Sequence, residues 1–189
     1  MKKSISYALI LTSGGIDSTA CINFYKKMGF DVDALFIDFG QPSRIKEYKA
    51  ATLIANYYDI NLNRVLVKSR QQIHDGFIPG RNAFLLFSAL MNFTKDNGII
   101  GIGIHNGTNY FDCSKDFVVQ VQNIFDQYSQ GTVKIGVPFL NFNKKEIWDY
   151  CNLEQVPIHL SYSCELGKKQ PCGYCTTCKD LEAIYASKK

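Results

Sequence analysis

No apolar run in this sequence approaches the roughly 18 residues that a membrane-crossing helix requires, which excludes a helical membrane protein. Met1-Lys2-Lys3 does not open a secretory leader either. The apolar stretch behind it lasts only about five residues before Thr12-Ser13-Gly14 breaks it, too short for an h-region. There is no long Lys/Arg block, no internal repeat and no low-complexity linker. The net charge of +4 is scattered along the chain, which suits anionic small molecules and makes nucleic acid and membrane unexpected partners. Cysteine is present in an odd number, 7, which argues against a complete disulfide framework. These features predict a cytoplasmic protein, in which cysteines serve metals or chemistry because disulfides there are rare.

The chain has 189 residues, 46% of them hydrophobic and 20% charged, enough for one domain with a substantial core. Strands are expected over residues 7–12, 31–38, 62–67, 99–104 and 133–137, with apolar runs clearest in the first and fourth and the last ended by Pro138. Helical periods fall between them, over residues 19–28, 43–58, 83–94, 117–125 and 144–151, with a terminal helix around 181–186. Pro42 suits the first turn of the second helix, Asn82 suits the cap of the third, and Asn97-Gly98 closes it. Residues 68–80 read as a polar loop. Strands alternating with helices imply an α/β fold, a doubly wound parallel sheet with right-handed crossovers and ligands at the carboxyl ends of its strands. The polar, glycine-bearing segments 13–18, 39–41, 79–82 and 105–112 all belong at that end. The expected division is a ligand-binding α/β domain over residues 1–160 and a cysteine-bearing segment with the terminal helix over 161–189.

The first of those segments is the most informative. Ser13-Gly14-Gly15-Ile16-Asp17-Ser18 follows a buried strand and opens a helix. Glycines let backbone N–H groups approach an anion, hydroxyls add donors, and the helix N-terminus adds partial positive charge. It is not a Walker loop, because no Gly-Lys-Ser/Thr follows. It resembles the PP-loop of ATP pyrophosphatases, which hold the pyrophosphate of ATP while an acceptor is adenylated.

The second motif is Cys164, Cys172, Cys175 and Cys178, spaced C-x7-C-x2-C-x2-C. Four thiolates around tetrahedral zinc leave no open position, so the spacing predicts a structural site that staples the C-terminal tail. A redox pair at Cys175 and Cys178 or an iron–sulfur cluster are the alternatives, since spacing alone does not fix the metal. Cys21 and Cys151 read as buried small hydrophobes. Cys113, on a loop at the ligand face, is ambiguous.

With both motifs in hand, the chain resembles the 7-cyano-7-deazaguanine synthase family of queuosine-precursor biosynthesis, nearly end to end. Ser13 to Thr19 matches its PP-loop, and Phe39-Gly40-Gln41 resembles its Tyr-Gly-Gln. Pro79-Gly80-Arg81-Asn82 matches as it stands, and Tyr110-Phe111-Asp112-Cys113 resembles Tyr-Pro-Asp-Cys. Lys144-Lys145-Glu146-Ile147 matches Lys-x-Glu-Ile, and Ser163-Cys164 with the later cysteines matches the zinc site. The resemblance implies a ligase that adenylates the carboxylate of 7-carboxy-7-deazaguanine with ATP and Mg²⁺. Ammonia then displaces AMP, and the amide is activated and dehydrated to a nitrile.

On this resemblance Ser13, Gly14, Gly15, Asp17, Ser18, Thr19, Asp38, Phe39 and Gly40 would bind ATP. Asp17, Ser18 and Arg81 would carry catalysis, with Asp17 orienting the loop or placing Mg²⁺, and Arg44 would assist Arg81 on phosphate charge. Gln41, Arg81, Asn82, Asn106, Tyr110 and Asp112 would bind the deazapurine acid. A helix-start salt bridge for Arg81 and a plain helix cap for Asp112 are the structural alternatives. The chain departs from the family where Pro42-Ser43 replace Arg-His, Ser114 replaces Arg, and Asn106 replaces an acid. These departures lie on the acceptor side. They leave open a divergent relative that passes the activated acid to a protein amine, as family-like members in antiviral defence gene clusters would. An RNA-thiolating PP-loop enzyme would need an RNA-binding extension, and a zinc-stabilised nucleotide sensor would bind ATP without turnover. Relatives in the family form homodimers, and 11 Tyr and 13 Phe would supply apolar contact surface for one here.

Overall fold

The computed structural model describes residues 6–68, 78–105, 107 and 110–186. Five strands, β1 (Tyr7–Leu11), β2 (Asp31–Asp38), β3 (Leu62–Leu66), β4 (Gly98–Gly101) and β5 (Val133–Gly136), form one sheet in the order β3-β2-β1-β4-β5. Every pairing is parallel, with Ala8 of β1 opposite Val32 on one side and Ile99 on the other. The helices are α1 (Ile16–Lys27), α2 (Arg44–Tyr58), α3 (Arg81–Met91), α4 (Lys115–Ser129), α5 (Lys144–Leu153) and α6 (Thr176–Ala186).

All five residues of β1 are buried, as a central parallel strand covered on both faces must be. Its side chains alternate between two cores. Ala8 and Ile10 pack with Ala20, Ile22, Ile54, Ile147 and Trp148 of α1, α2 and α5, joined by Ile184 of α6. Tyr7, Leu9 and Leu11 pack on the opposite face with Leu86 and Ala89 of α3 and Phe117, Val121 and Phe125 of α4. Each fully buried side chain of this size contributes about 1.5–3 kcal/mol relative to exposure. β1 feeds β2 on one side while β4 flanks it on the other, so the carboxyl ends of β1 and β4 diverge at the topological switch point and open a crevice.

The predicted α/β architecture holds, and the differences lie at element ends. The cap of α3 is Gly80, in the left-handed conformation with φ 73°, rather than Asn82. Asn82 stands inside the helix, where its side chain is engaged elsewhere. Pro42 lies outside α2, which Ser43 precedes. α4 is capped by Ser114, whose Oγ accepts from Phe117 N, so Asp112 is not its cap. α3 stops at Met91, and α6 starts at Thr176, before the residue from which its apolar period is visible. Most of the polar loop predicted over 68–80 lies outside the described residues.

Gly14 is the backbone position that the architecture tolerates least in any other residue. Its φ is +70°, and a Cβ there would lie 2.5 Å from Glu47 O and 2.7 Å from Ala51 N, both rigid backbone atoms of α2. Gly14→Ala combines left-handed strain with a clash that α2 cannot relieve. We expect it to cost about 3 kcal/mol of folding stability, measured by denaturant unfolding.

Candidate active site

The β1–α1 loop is built so that its hydroxyls hold its own N–H groups loosely. Gly14 N donates to Thr12 Oγ1 at 3.2 Å, Gly15 N to Ser13 Oγ at 3.3 Å, and Ser13 N to Ser18 Oγ at 3.3 Å. These are long bonds to neutral acceptors, and an anionic oxygen would be a stronger one. The Ser18 and Thr19 hydroxyls both donate to Gly15 O, at 3.0 and 2.7 Å, which tightens the first turn of α1. Gly14 O accepts from Tyr162 N at 2.9 Å, so the segment that precedes the cysteines is tied to the loop.

Beside the loop, Asp17 faces Lys144, the first residue of α5, whose Nζ donates to both carboxylate oxygens at 2.7 and 2.5 Å. His105 Nε2 lies 3.8 Å from Asp17 Oδ2. Burial lowers the His105 pKa, Asp17 opposes that, Lys144 adds to it and Asp180 opposes it; the net shift is downward, so the ring is neutral at neutral pH. Gly103 makes this arrangement possible. A Cβ there would lie 2.8 Å from the carbonyl carbon of Asp17, so only glycine lets the chain leaving β4 pack against the start of α1.

These groups line one cleft of about 350 Å³ at the carboxyl end of the sheet, large enough for a small organic ligand. Of the sequence-predicted residues, Ser13, Gly15, Asp17, Ser18, Phe39, Gln41, Arg81, Asn82 and Tyr110 line it. Gly14 lies behind the loop against α2, and Thr19 is fully buried beneath it. Asp38 turns away to Arg64 Nη2 at 2.6 Å and accepts from Gly40 N. Asp112 is buried; its carboxylate accepts from Asn82 N and its carbonyl from Asn82 Nδ2, so the pair locks the start of α3 to the following loop. Arg44 donates to Gln41 O. Asn106 lies outside the described residues. Cys113 reaches the cleft edge, with Asn82 Nδ2 3.7 Å from its sulfur.

Glu47 was not among the expected site residues. It lies in the first turn of α2, where an acid reads as an ordinary helix-start charge, and only the fold brings it to the cleft. Ser43 Oγ donates to Oε1 at 2.7 Å and Gln41 Nε2 to Oε2 at 2.9 Å, while Gln41 Oε1 takes Phe39 N. His105 was likewise not singled out. Lys144 was visible only as part of a matched motif.

The four cysteines converge as their spacing predicts. All four sulfurs lie within 4.8 Å of one another, with 3.9 Å between those of Cys172 and Cys178. Gly173 takes φ +78° in the knuckle. The same segment sends Tyr162, Ser163, Glu165, Thr176, Thr177 and Asp180 to the cleft wall, so the cysteine cluster is continuous with the site.

Burial raises the Glu47 pKa from 4.5, and the hydrogen bonds from Gln41 and Ser43 and the charge of Arg81 only partly offset it. The folded protein therefore holds this proton more tightly than the unfolded chain. The associated stability is fully present below about pH 4.5 and is lost as pH rises through the folded value. We expect Glu47→Gln to gain stability relative to the parent as pH increases, read from urea unfolding at pH 4.5 and about pH 8.

The fold is shared with two solved structures. One is the U34-tRNA thiolase NcsA of Methanococcus maripaludis, solved with its 4Fe–4S cluster, at TM-score 0.54 and 16% identity over 98% of this chain and 66% of that one. The other is the NMN synthetase of Francisella tularensis, at TM-score 0.52 and 16% identity over 97% of this chain and 78% of that one. Among curated proteins, the 7-cyano-7-deazaguanine synthase of Prochlorococcus marinus strain AS9601 is 27% identical over 94% of this chain and 92% of its own length. The sequence description of the queuosine biosynthesis protein QueC matches residues 7–75 and 65–188. The chain therefore belongs to the QueC family of queuosine biosynthesis proteins.

Proposed function

We propose that this protein adenylates the carboxylate of 7-carboxy-7-deazaguanine with ATP, releasing pyrophosphate, and carries the acyl group through amide to nitrile. The observation that carries the reading is the loop of loosely satisfied N–H groups, whose Ser13 and Gly15 line the same cleft as Arg81, Gln41 and Asn82. A carboxylate repels nucleophiles. Transfer to AMP neutralises it and supplies a leaving group. Loop donors that need no reorganisation stabilise the charge that accumulates on pyrophosphate as the bond to the α-phosphorus breaks. Arg81 lies close enough to Glu47 to lower its pKa, and its planar fork suits phosphate or carboxylate oxygens. Asp17 is the cleft carboxylate placed to orient the loop or hold a divalent cation, and Mg²⁺ would supply neutralisation of phosphate charge.

A second reading keeps adenylation and changes the acceptor. Pro42 and Ser43 line the cleft where the family carries Arg-His, and Ser43 is spent on Glu47. An acceptor side altered in this way would suit transfer to an amine other than ammonia, such as one on a protein.

For the cysteines the sulfur spacing favours a single ion. Zinc–sulfur bonds of about 2.3 Å in a tetrahedron separate the sulfurs by about 3.8 Å, near what the four side chains already adopt. Zinc held there supplies cross-linking and no chemistry at an open position.

With ATP, Mg²⁺, ammonia and the acid, mass spectrometry should detect AMP and the nitrile; AMP without nitrile would favour the second acceptor. Ser18→Ala and Asp17→Ala should each cut AMP release about a hundredfold or more, and undiminished release would defeat the reading. Metal analysis should find one zinc per chain, abolished in Cys175→Ser together with a lower melting temperature. Stoichiometric iron would overturn the zinc assignment.

A further inference from the structure

Lys144 stands where a cation is least favoured. It is the first residue of α5, and the N-terminal turn of a helix carries partial positive charge that prefers acids. The helix does not need it as a cap, because Asn143 and Glu146 already form a reciprocal capping box. The adjacent Lys145 takes the ordinary place, 64% exposed and paired with Asp149 one turn on. Lys144 is only 16% exposed and is turned into the cleft, where Asp17 holds it in the bidentate pair. An ammonium has three donors. Among the described residues, the Asp17 oxygens are its only acceptors. A largely shielded cation at an unfavourable helix end, with donor capacity to spare, stands beside the loop that Ser13, Gly15 and Ser18 present to the same space.

We propose that Lys144 is a further catalytic residue that binds the departing pyrophosphate, with Asp17 as its resting partner in the free protein. This deepens the adenylation reading and rests on it. The oxygens of a triphosphate seated on the loop compete with Asp17 for the ammonium. As a carboxylate oxygen bonds to the α-phosphorus, the bond from that phosphorus to the bridging oxygen breaks and its electron pair leaves with pyrophosphate. The ammonium donates hydrogen bonds to that growing charge, and no proton need be transferred. A compact point charge with rotatable donors suits this exchange better than a rigid guanidinium fork. Asp17, freed from Lys144, is then available to orient the loop.

The test uses the full chain and an ATP analogue with a methylene between the α- and β-phosphorus. In a co-crystal, Lys144 Nζ should have left the Asp17 carboxylate for a phosphate oxygen. By calorimetry, Lys144→Gln should lose affinity for inorganic pyrophosphate by about tenfold while binding adenosine as the parent does. Its kcat for AMP release should fall about a hundredfold. Lys144→Arg, which restores the charge, should recover part of both. A lysine that only neutralises Asp17 predicts otherwise: Nζ stays on the carboxylate in the co-crystal, and adenosine and pyrophosphate affinities change together or not at all. That result overturns the proposal alone, provided the parent protein still cleaves ATP to AMP. A parent that neither binds nor cleaves ATP overturns the adenylation reading and this proposal with it.

Discussion

The contact between Gly14 and α2 sets the position of everything in the cleft. The loop is pinned on two sides. Behind it, the α carbon of Gly14 lies so close to the backbone of Glu47 and Ala51 that no side chain fits. In front, Gly14 O takes the N–H of Tyr162, which fixes the loop to the chain leading into the cysteines. Neither contact depends on a flexible side chain, so the N–H groups of residues 13–15 are aimed before any ligand arrives. Preorganised donors give more stabilisation to developing charge than donors that must first reorient.

Charge placement in the cleft follows a different logic from charge placement on the surface. Lys134–Asp126 and Lys145–Asp149 are half-exposed pairs of the kind that contributes little to stability. Inside the cleft, burial penalises ionisation of His105 and Glu47, and Asp17 and Lys144 hold one another in a close ion pair. Removing one partner of such a pair leaves an uncompensated charge, which is more costly than losing a surface pair. The resulting cluster is poised for exchange: it binds its own members well enough to stay folded, and an anionic ligand offers each cation a stronger alternative. His105, whose pKa burial lowers, carries no charge into the site at neutral pH.

The sheet, its strands and the glycine loop were legible because they rest on local signals. Buried parallel strands read as continuous apolar runs, and glycines mark where backbone must approach backbone. The cysteine cluster was legible for the same reason, since its ligands sit close together in the chain. Helix ends were less so. Asn82 has the composition of a cap, but a left-handed glycine and the bond to Asp112 took over that role. Glu47, His105 and Lys144 come from α2, the segment after β4 and α5, and their meeting at Asp17 or Arg81 is a consequence of crossover geometry that no window of sequence contains. Thr19, Asp38 and Asp112 follow matched motifs, yet their side chains are engaged in holding the loop, β3 and α3.

The cysteine segment joins the site to folding. Its sulfurs meet close together, while the neighbouring Tyr162, Ser163, Glu165, Thr176, Thr177 and Asp180 form a wall of the cleft. Thr177 Oγ1 donates to Glu165 Oε1 at 2.8 Å across the gap between the first cysteine and the last three. One hydrogen bond to a carboxylate contributes about 1.5–3 kcal/mol, too little to order a segment of this length against its conformational entropy. A metal bound by four thiolates contributes far more, because its binding free energy is also folding free energy. With a metal held there, the wall of the cleft would be only as well defined as the cysteine cluster behind it. Asp180 sits two residues beyond Cys178 and faces His105, so the electrostatics around Asp17 and Lys144 depend on that order as well. A metal with no open coordination position would thus reach the cleft through the position of the side chains that the cluster holds.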